Sequence, residues 1–448
     1  MTQQITKISI FILIVFACIF YGSDFSAEVV SYTKIGFNQQ SINEEQGAYP
    51  TDSFSVFYGS ASYDKIFQNH LSLGIGIAIG GVVYDSTKNN GNLSYKYLGY
   101  SQGFLGTQKA TANNTQNYMI KNLYLGYEGD SFQFKIGRFV LREVDWLTGY
   151  QSAIQMIYKK SVYKVYFVAS GKKASYGGKW LKDFKTMSSI STSTGVIPNY
   201  VPAVVLGFKY NPQHLLINTF FQFQANRYFA PGLRIKFDHQ FSDVNSATDF
   251  IALVVAHRKT ARDIVTSYDI GFEPVFGSIS SKNPYLQGYS GRRSGWGGIS
   301  LGIKQIFSFK SYHFGVQLYG NIGNPNVFIG RYGNPIGIDL SDNTVYDRGT
   351  ANNALFDANS FSFIICGGKK FKNLDLKFFN RITTSQRTFE ENFSINTSYA
   401  FTKQTSLGVN LSLYEVKTQA GYKIYHTYLK KSRWDDRSFM SIYFSHRF

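Results

Sequence analysis

Two cysteines occur in 448 residues, and one of them, Cys18, sits in an apolar leader among neighbours that make a poor lipoprotein box. Beyond that leader Cys366 stands alone, so no intramolecular disulfide framework can hold the chain. Charged residues make up only 17%, below the roughly 25% of soluble domains. Past the leader no stretch approaches the ~18 consecutive apolar residues that a spanning helix needs. No His-x-x-x-His pair or cysteine cluster suggests a metal, and no Gly-x-Ser-x-Gly elbow appears. The seven histidines are scattered, from His70 to His446. Ser445 and His446 are adjacent, but neighbours on a strand point to opposite faces and cannot form a dyad. These absences argue against a disulfide-stapled scaffold, a helical membrane protein, a metal or cofactor site, and an enzyme.

What is present is aromatic and basic. Tryptophan is scarce, at 4, yet there are 33 Tyr and 40 Phe. Few charges with many Tyr and Phe fit a membrane wall with aromatic girdles at both interfaces. The N-terminus reads as a signal peptide over residues 1–27: Lys7, then an apolar run from Ile8 to Tyr21 broken only by Ser9, then the small residues Gly22, Ser23, Ser26 and Ala27. The favoured cut follows Ala27, and a retained anchor is the alternative. Residues 28–448 then form one domain, with no linker and no repeat larger than a hairpin. The formal net charge is +18, and because Lys7 and Asp24 cancel, the exported chain keeps it. Such a charge suits attraction to lipopolysaccharide, a cation-lined lumen that draws anions, or nucleic acid. Export sets nucleic acid aside.

The last stretch, Phe439 to Phe448, organises the rest. Met440, Ile442, Phe444 and Phe448 share one parity; Ser441, Tyr443, Ser445 and Arg447 share the other. Alternate side chains of a strand face opposite ways. A greasy final strand would be an aggregating edge on a soluble protein. Closing a membrane barrel against the first strand removes that edge, so Ile442, Phe444 and Phe448 are expected on the barrel-closing strand. The same two-faced pattern recurs. Leu233, Ile235, Phe237 and Phe241 oppose Arg234, Lys236, Asp238 and Gln240, and Leu407, Val409, Leu411 and Leu413 oppose Gly408, Asn410 and Ser412. Leu71 to Gly80 sets aliphatics against Gly74, Gly76, Ala78 and Gly80, as if something approached the backbone closely there. The stretch 249–258 is apolar on both parities and gives no direction.

Connections alternate in length. Short turns fall at 129–130, 160–161, 211–212, 310–311, 369–370 and 402–403, with somewhat longer ones at 64–69 and 242–248. Long polar loops lie at 85–116, 170–199, 259–296, 323–357 and 417–436. Short turns on one rim and long loops on the other is the outer-membrane barrel arrangement. The expected fold is an all-β, transmembrane antiparallel barrel of about 18 strands, within a range of 16–20 because 264–273 can hide another pair.

One segment departs from plain alternation: Gly137-Arg-Phe-Val-Leu-Arg-Glu-Val-Asp-Trp-Leu-Thr-Gly-Tyr150. A Gly-Arg closing a hairpin, followed by mixed charges and a tryptophan, is similar to the constriction-loop region of porins. With Val30 to Tyr84 and the terminal Phe448, it resembles the Helicobacter outer-membrane protein family called Hof, which is itself OprD-like. The resemblance implies an outer-membrane barrel of 18 strands with a porin role. If the loop folds inward, Arg138, Arg142, Glu143, Asp145 and Trp146 would form the pore constriction. Parity nominates Lys164, Lys209, Arg234, Lys236, Lys304, Lys377, Arg381 and Arg447 as lumen-facing cations, with Asp238, Asp375 and Glu390 diluting their field. A mostly basic wall favours anions, and OprD relatives use such a track for carboxylates. The expectation is passive diffusion of small polar solutes without cofactor, in a monomer or trimer. Outer-membrane lipid and lipopolysaccharide would surround it and the barrel assembly machinery would insert it. The alternative is an adhesin acting through its long surface loops.

Overall fold

The computed structural model describes residues 24–90, 117–187, 190–192, 195–197, 200–262, 265–269, 273–277, 295–329, 333, 335–337, 354–420, 423–424 and 427–448. The expected leader up to residue 23, with Cys18, and most of the 85–116 loop lie outside them.

Eighteen antiparallel strands run round a closed barrel. They are β1 (Phe25–Gly36), β2 (Phe54–Ile66), β3 (Leu71–Asp85), β4 (Tyr118–Glu128), β5 (Phe132–Val144), β6 (Leu147–Lys160), β7 (Tyr163–Gly177), β8 (Ala203–Tyr210) and β9 (Leu215–Gln224). They continue as β10 (Tyr228–Phe241), β11 (Val244–His257), β12 (Gly297–Phe309), β13 (Tyr312–Gly323), β14 (Phe361–Lys370), β15 (Leu374–Thr384), β16 (Thr388–Ala400), β17 (Thr405–Thr418) and β18 (Phe439–Arg447). Each pairs with its neighbour in sequence, and β18 pairs with β1 from Glu28↔Arg447 to Gly36↔Phe439. Phe448 donates its backbone N–H to the Ala27 carbonyl at 2.9 Å. Closure leaves no unpaired edge, which a sheet in lipid requires. Phe25, Ser26 and Ala27 pair with Tyr63, Ser62 and Ala61, so the first strand begins before the expected cut after Ala27.

Period-two alternation decides the two surfaces. Leu71, Ile75, Leu125, Leu206, Phe307, Leu413 and Phe444 stand exposed on the outer face, where lipid rather than water meets them. Ser441 and Ser445 are buried on the inner face. His446, an exception on the greasy parity, bonds Thr405 Oγ1 at 2.8 Å through Nδ1. Short turns join β2–β3, β4–β5, β6–β7 and every second pair thereafter on the rim where β1 begins and β18 ends. That rim is the periplasmic one.

Several boundaries differ from the sequence reading. Residues 242–248 hold a tight turn at Ser242-Asp243, because β10 and β11 pair as far as Phe241↔Val244. The long loop expected at 170–199 begins later, since β7 runs to Gly177, and it contains the strand Trp180–Thr186. A pair does lie within 259–296, at Val265–Asp269 and Glu273–Gly277. It joins a small separate sheet with Ile190–Thr192 and Gly195–Ile197 and adds nothing to the wall.

The barrel interior is largely occupied. One apolar cluster gathers Phe139, Leu141, Val144, Trp146 and Leu147 with inward side chains of β9–β11 and with Val327, Phe328, Ile329 and Leu355. This accounts for 249–258 being apolar on both parities. The inward Ile251, Leu253 and Val255 are covered by folded-in chain, while Val254 faces out at 43% exposure. A second cluster joins Val30, Tyr32, Tyr58 and Ala78 of β1–β3 to Leu181 and Phe184. Beside it, the inward glycines of β3 leave room for rings and amines. A Cβ at Gly74 would lie 2.0 Å from Tyr124, and one at Gly80 would lie 2.4 Å from Tyr58.

Candidate functional site

The segment that broke alternation is a β-hairpin, β5–β6, with its turn at Asp145-Trp146. It leaves the wall above Arg138, the last β5 residue paired with β4. Register puts Lys164 beside Lys159, so an upright hairpin would hold its tip ~40 Å away at ~3.3 Å per residue. Instead Lys164 Nζ bonds Glu143 Oε1 at 3.2 Å. The hairpin must therefore fold down inside the barrel. Gly137 and Gly149 have φ of +127° and +89°, conformations that side chains disfavour, and they sit at the bend. A Cβ on Gly137 would also strike the Leu123 carbonyl oxygen at 2.1 Å.

At the tip, two carboxylates find the basic wall. Glu143 accepts from Lys164 and from Lys209, the latter at 2.7 Å. Asp145 bonds Arg234, whose Nε also donates to Asp249 Oδ1 at 2.9 Å. Trp146 is fully buried, 6.0 Å from the Phe220 ring centroid, and Gly333 lies against its backbone. Arg138 is buried at the base, its guanidinium 4.4 Å from the Phe184 ring and 3.7 Å from Asp183. Arg142, on the same hairpin, is exposed. The structure thus brings Arg138, Glu143, Asp145 and Trp146 into packed contacts inside the barrel and leaves Arg142 outward from them.

The basic wall divides by what its members already hold. Lys164, Lys209 and Arg234 clamp the hairpin. Arg381 is buried with Glu390 at 2.9 Å, beside Arg387 and Asp357. Ala354 donates its N–H to that same Glu390 at 2.7 Å, so this pair anchors the folded-in turn Ala354–Phe356. Lys377 pairs with Asp375 at 2.8 Å. Arg447 lies at the periplasmic rim, 3.5 Å from Glu28. Lys236 reaches Asp249 only at 3.7 Å. Lys304 makes no ion pair among the described residues.

Lys304 also lies where space remains. A cavity of about 340 Å³ runs past Arg234, Lys236, Asp249 and Lys304 under Ile336 and Gly337. A second, of about 780 Å³, is bordered by Lys304, Gln317, Lys377, Ser394, Asn396 and Asn410. Lys304, Ile306, Gln317 and Gly337 border both. Cations there stand beside neutral hydroxyls and amides, Lys377 pairing in register with Asn396.

Parity reasoning from charge alone missed these neutral groups on β16–β18. It also missed the inward strand Trp180–Thr186, with buried Lys182, Asp183 and Lys185. The signal was there: Gly177-Gly178 followed by charges alternating with Trp180, Leu181 and Phe184. The buried Lys34–Asp52 pair, at 3.0 Å, was legible as an inward lysine on β1.

Comparison with known proteins agrees with this architecture. The family described as "Putative outer membrane protein" matches residues 11–448. The chain belongs to this outer-membrane protein family. Its barrel superposes on OccAB1 of Acinetobacter baumannii with a TM-score of 0.64 at 13% identity, covering 96% of this chain and 97% of that one. OccAB4 of the same organism gives 0.60 at 11% identity, covering 95% and 97%. OpdK of Pseudomonas aeruginosa, solved with vanillate, gives 0.58 at 10%, covering 95% and 98%. These identities establish a shared fold. No curated protein matches the chain by sequence. As a member of its family the protein is placed in the outer membrane.

Proposed function

We propose that this barrel is a porin, through which small polar solutes diffuse passively, and that it favours anions carrying a carboxylate. The observation that carries this reading is Lys304. It borders both lumen cavities and has no carboxylate partner among the described residues, while the other inward cations near it are engaged. A cation held between low-dielectric walls attracts anions and repels like charge, as a charge ring does in other pores. Ser394, Asn396 and Asn410, which border the same cavity as Lys304, can hydrogen-bond a solute's neutral portion. The inward hairpin narrows the path, and its own carboxylates are neutralised by Lys164, Lys209 and Arg234. Vanillate in OpdK is an aromatic carboxylate, which fits this substrate class. The whole cavity lies within one chain, so the proposed pore needs no second subunit. The loop elements Trp180–Thr186, Asn326–Ile329 and Ala354–Phe356 are buried inside the barrel, which favours the pore over an adhesin. Insertion by the barrel assembly machinery through the Phe448 strand belongs to the same reading.

The test is a reversal-potential measurement on the purified protein in a planar bilayer across a salt gradient. The wild type is expected to be anion-selective, and Lys304→Glu to move the anion-to-cation permeability ratio down at least threefold. A cation-selective wild type, or a Lys304→Glu channel indistinguishable from it, would overturn the reading.

A further inference from the structure

The outer wall carries a feature that transport does not use. Along one row round the barrel the outward residues are Phe307 on β12, Phe314 on β13, Gly367 on β14, Phe378 on β15 and Ile395 on β16. The Phe378 ring lies over Gly367, so that a Cβ there would stand 2.6 Å from it. Beside this row the lipid-facing surface has a dent of about 810 Å³, walled by Phe307, Phe309, Phe314, Leu376, Phe378 and Ile395.

Directly below, toward the periplasmic rim, the next outward row contains Phe309, Tyr312 and Lys369. Lysine on the greasy parity of a membrane strand is costly unless it reaches the interface. Lys369 Nζ bonds the Tyr312 hydroxyl at 2.6 Å and lies 4.4 Å from that ring's centroid. Lys310, on the adjoining turn, holds its amine 5.0 Å from the centre of the Phe309 ring. Lys370 and Lys372 sit on the same two turns. None of the four forms an ion pair among the described residues. The turns at Gly129-Asp130 and Ser242-Asp243, by contrast, each carry an acid.

We propose that this dent is a binding site for an anionic glycerophospholipid of the periplasmic leaflet. An acyl chain would lie between Phe314 and Phe378, against Leu376. The phosphate would accept hydrogen bonds from Lys369 and Lys310. Depth and charge together select the occupant: apolar space one row up, donors at headgroup level, and uncompensated positive charge on the rim. The site is independent of whether the lumen conducts.

The experiment is native mass spectrometry of the full-length protein released from vesicles of phosphatidylglycerol and phosphatidylethanolamine in equal amounts. The wild type is expected to retain phosphatidylglycerol preferentially. Lys310→Ala with Lys369→Ala should lower that retention at least fivefold. Leu376→Trp, which fills the dent from its wall and keeps the lysines, should lower it as well. Lys159→Ala with Lys160→Ala removes the same charge from a rim turn away from the dent and should leave retention unchanged. Folding of each variant is read from its heat-modifiable gel mobility. Equal loss in the Lys159/Lys160 control would reduce the effect to general rim charge and overturn the site. Retention unaffected by both Leu376→Trp and the Lys310/Lys369 change, or no preference in the wild type, would overturn it too.

Discussion

The two sides of the barrel interior obey one rule of alternation and carry opposite contents. Along β7–β11 the inward positions meet a folded-in hairpin, and Val168, Phe220, Tyr228, Leu253 and Trp146 are buried together. Along β14–β18 the inward Ser394, Asn396, Asn410 and Lys377 face a cavity of about 780 Å³. Parity fixes which way a side chain points. Whether it then meets water or protein depends on what another part of the chain places there. Fully burying a large apolar side chain contributes roughly 1.5–3 kcal/mol, so several such contacts can hold the hairpin against the wall. The charges follow the same division. On the filled side cations are consumed in clamping Glu143 and Asp145, and where the cavities meet Lys304 is left to the solute.

The largest expected effect falls on the filled side. Trp146→Ala empties a fully buried site and should cost about 3–5 kcal/mol, measured as a lower unfolding midpoint in detergent. If the hairpin narrows the pore, single-channel conductance should also rise about twofold or more. A destabilised variant of unchanged conductance would separate the hairpin's packing role from a gating one.

Next comes the buried pair Arg381–Glu390. Removing one partner of such a pair leaves an uncompensated buried charge, at about 3–5 kcal/mol. Arg381→Ala should therefore loosen the turn Ala354–Phe356 that Glu390 also holds, seen as faster proteolysis of the adjoining loop. Arg381→Met with Glu390→Leu should recover most of the thermal stability. If the double variant is as labile as the single one, the pair does more than satisfy its own charges.

The smallest effect is expected on the open side. Ser394 Oγ donates to Asn392 Oδ1 at 2.7 Å. Ser394→Ala loses that bond, worth about 1 kcal/mol, in a wall that borders the cavity. Unfolding temperature should move little, and the permeability ratio should stay with Lys304. A stability loss equal to that of Trp146→Ala would erase the distinction between the two sides.

Much of the architecture was legible in the chain. The alternation of Leu233–Phe241 and Leu407–Leu413, the greasy parity of Ile442, Phe444 and Phe448, and the short-long rhythm of connections pointed to a closed barrel. Strand direction depends on neighbours one and two residues away, so local reading recovers it. The interior was less legible. Lys164 and Arg381 look alike in sequence, each a cation opposite an apolar face. One reaches a carboxylate 21 residues away on a hairpin bent at Gly137 and Gly149, and the other is sealed beneath a turn from the β13–β14 connection.

By itself, then, the sequence determined the wall: period-two polarity sorts lipid face from lumen face wherever a strand runs, because a pleated backbone allows nothing else. Only the tertiary structure decided the hole. Which cations the inward chain neutralised and which space it left beside Lys304 depend on contacts between residues far apart in the chain, and no local pattern encodes those.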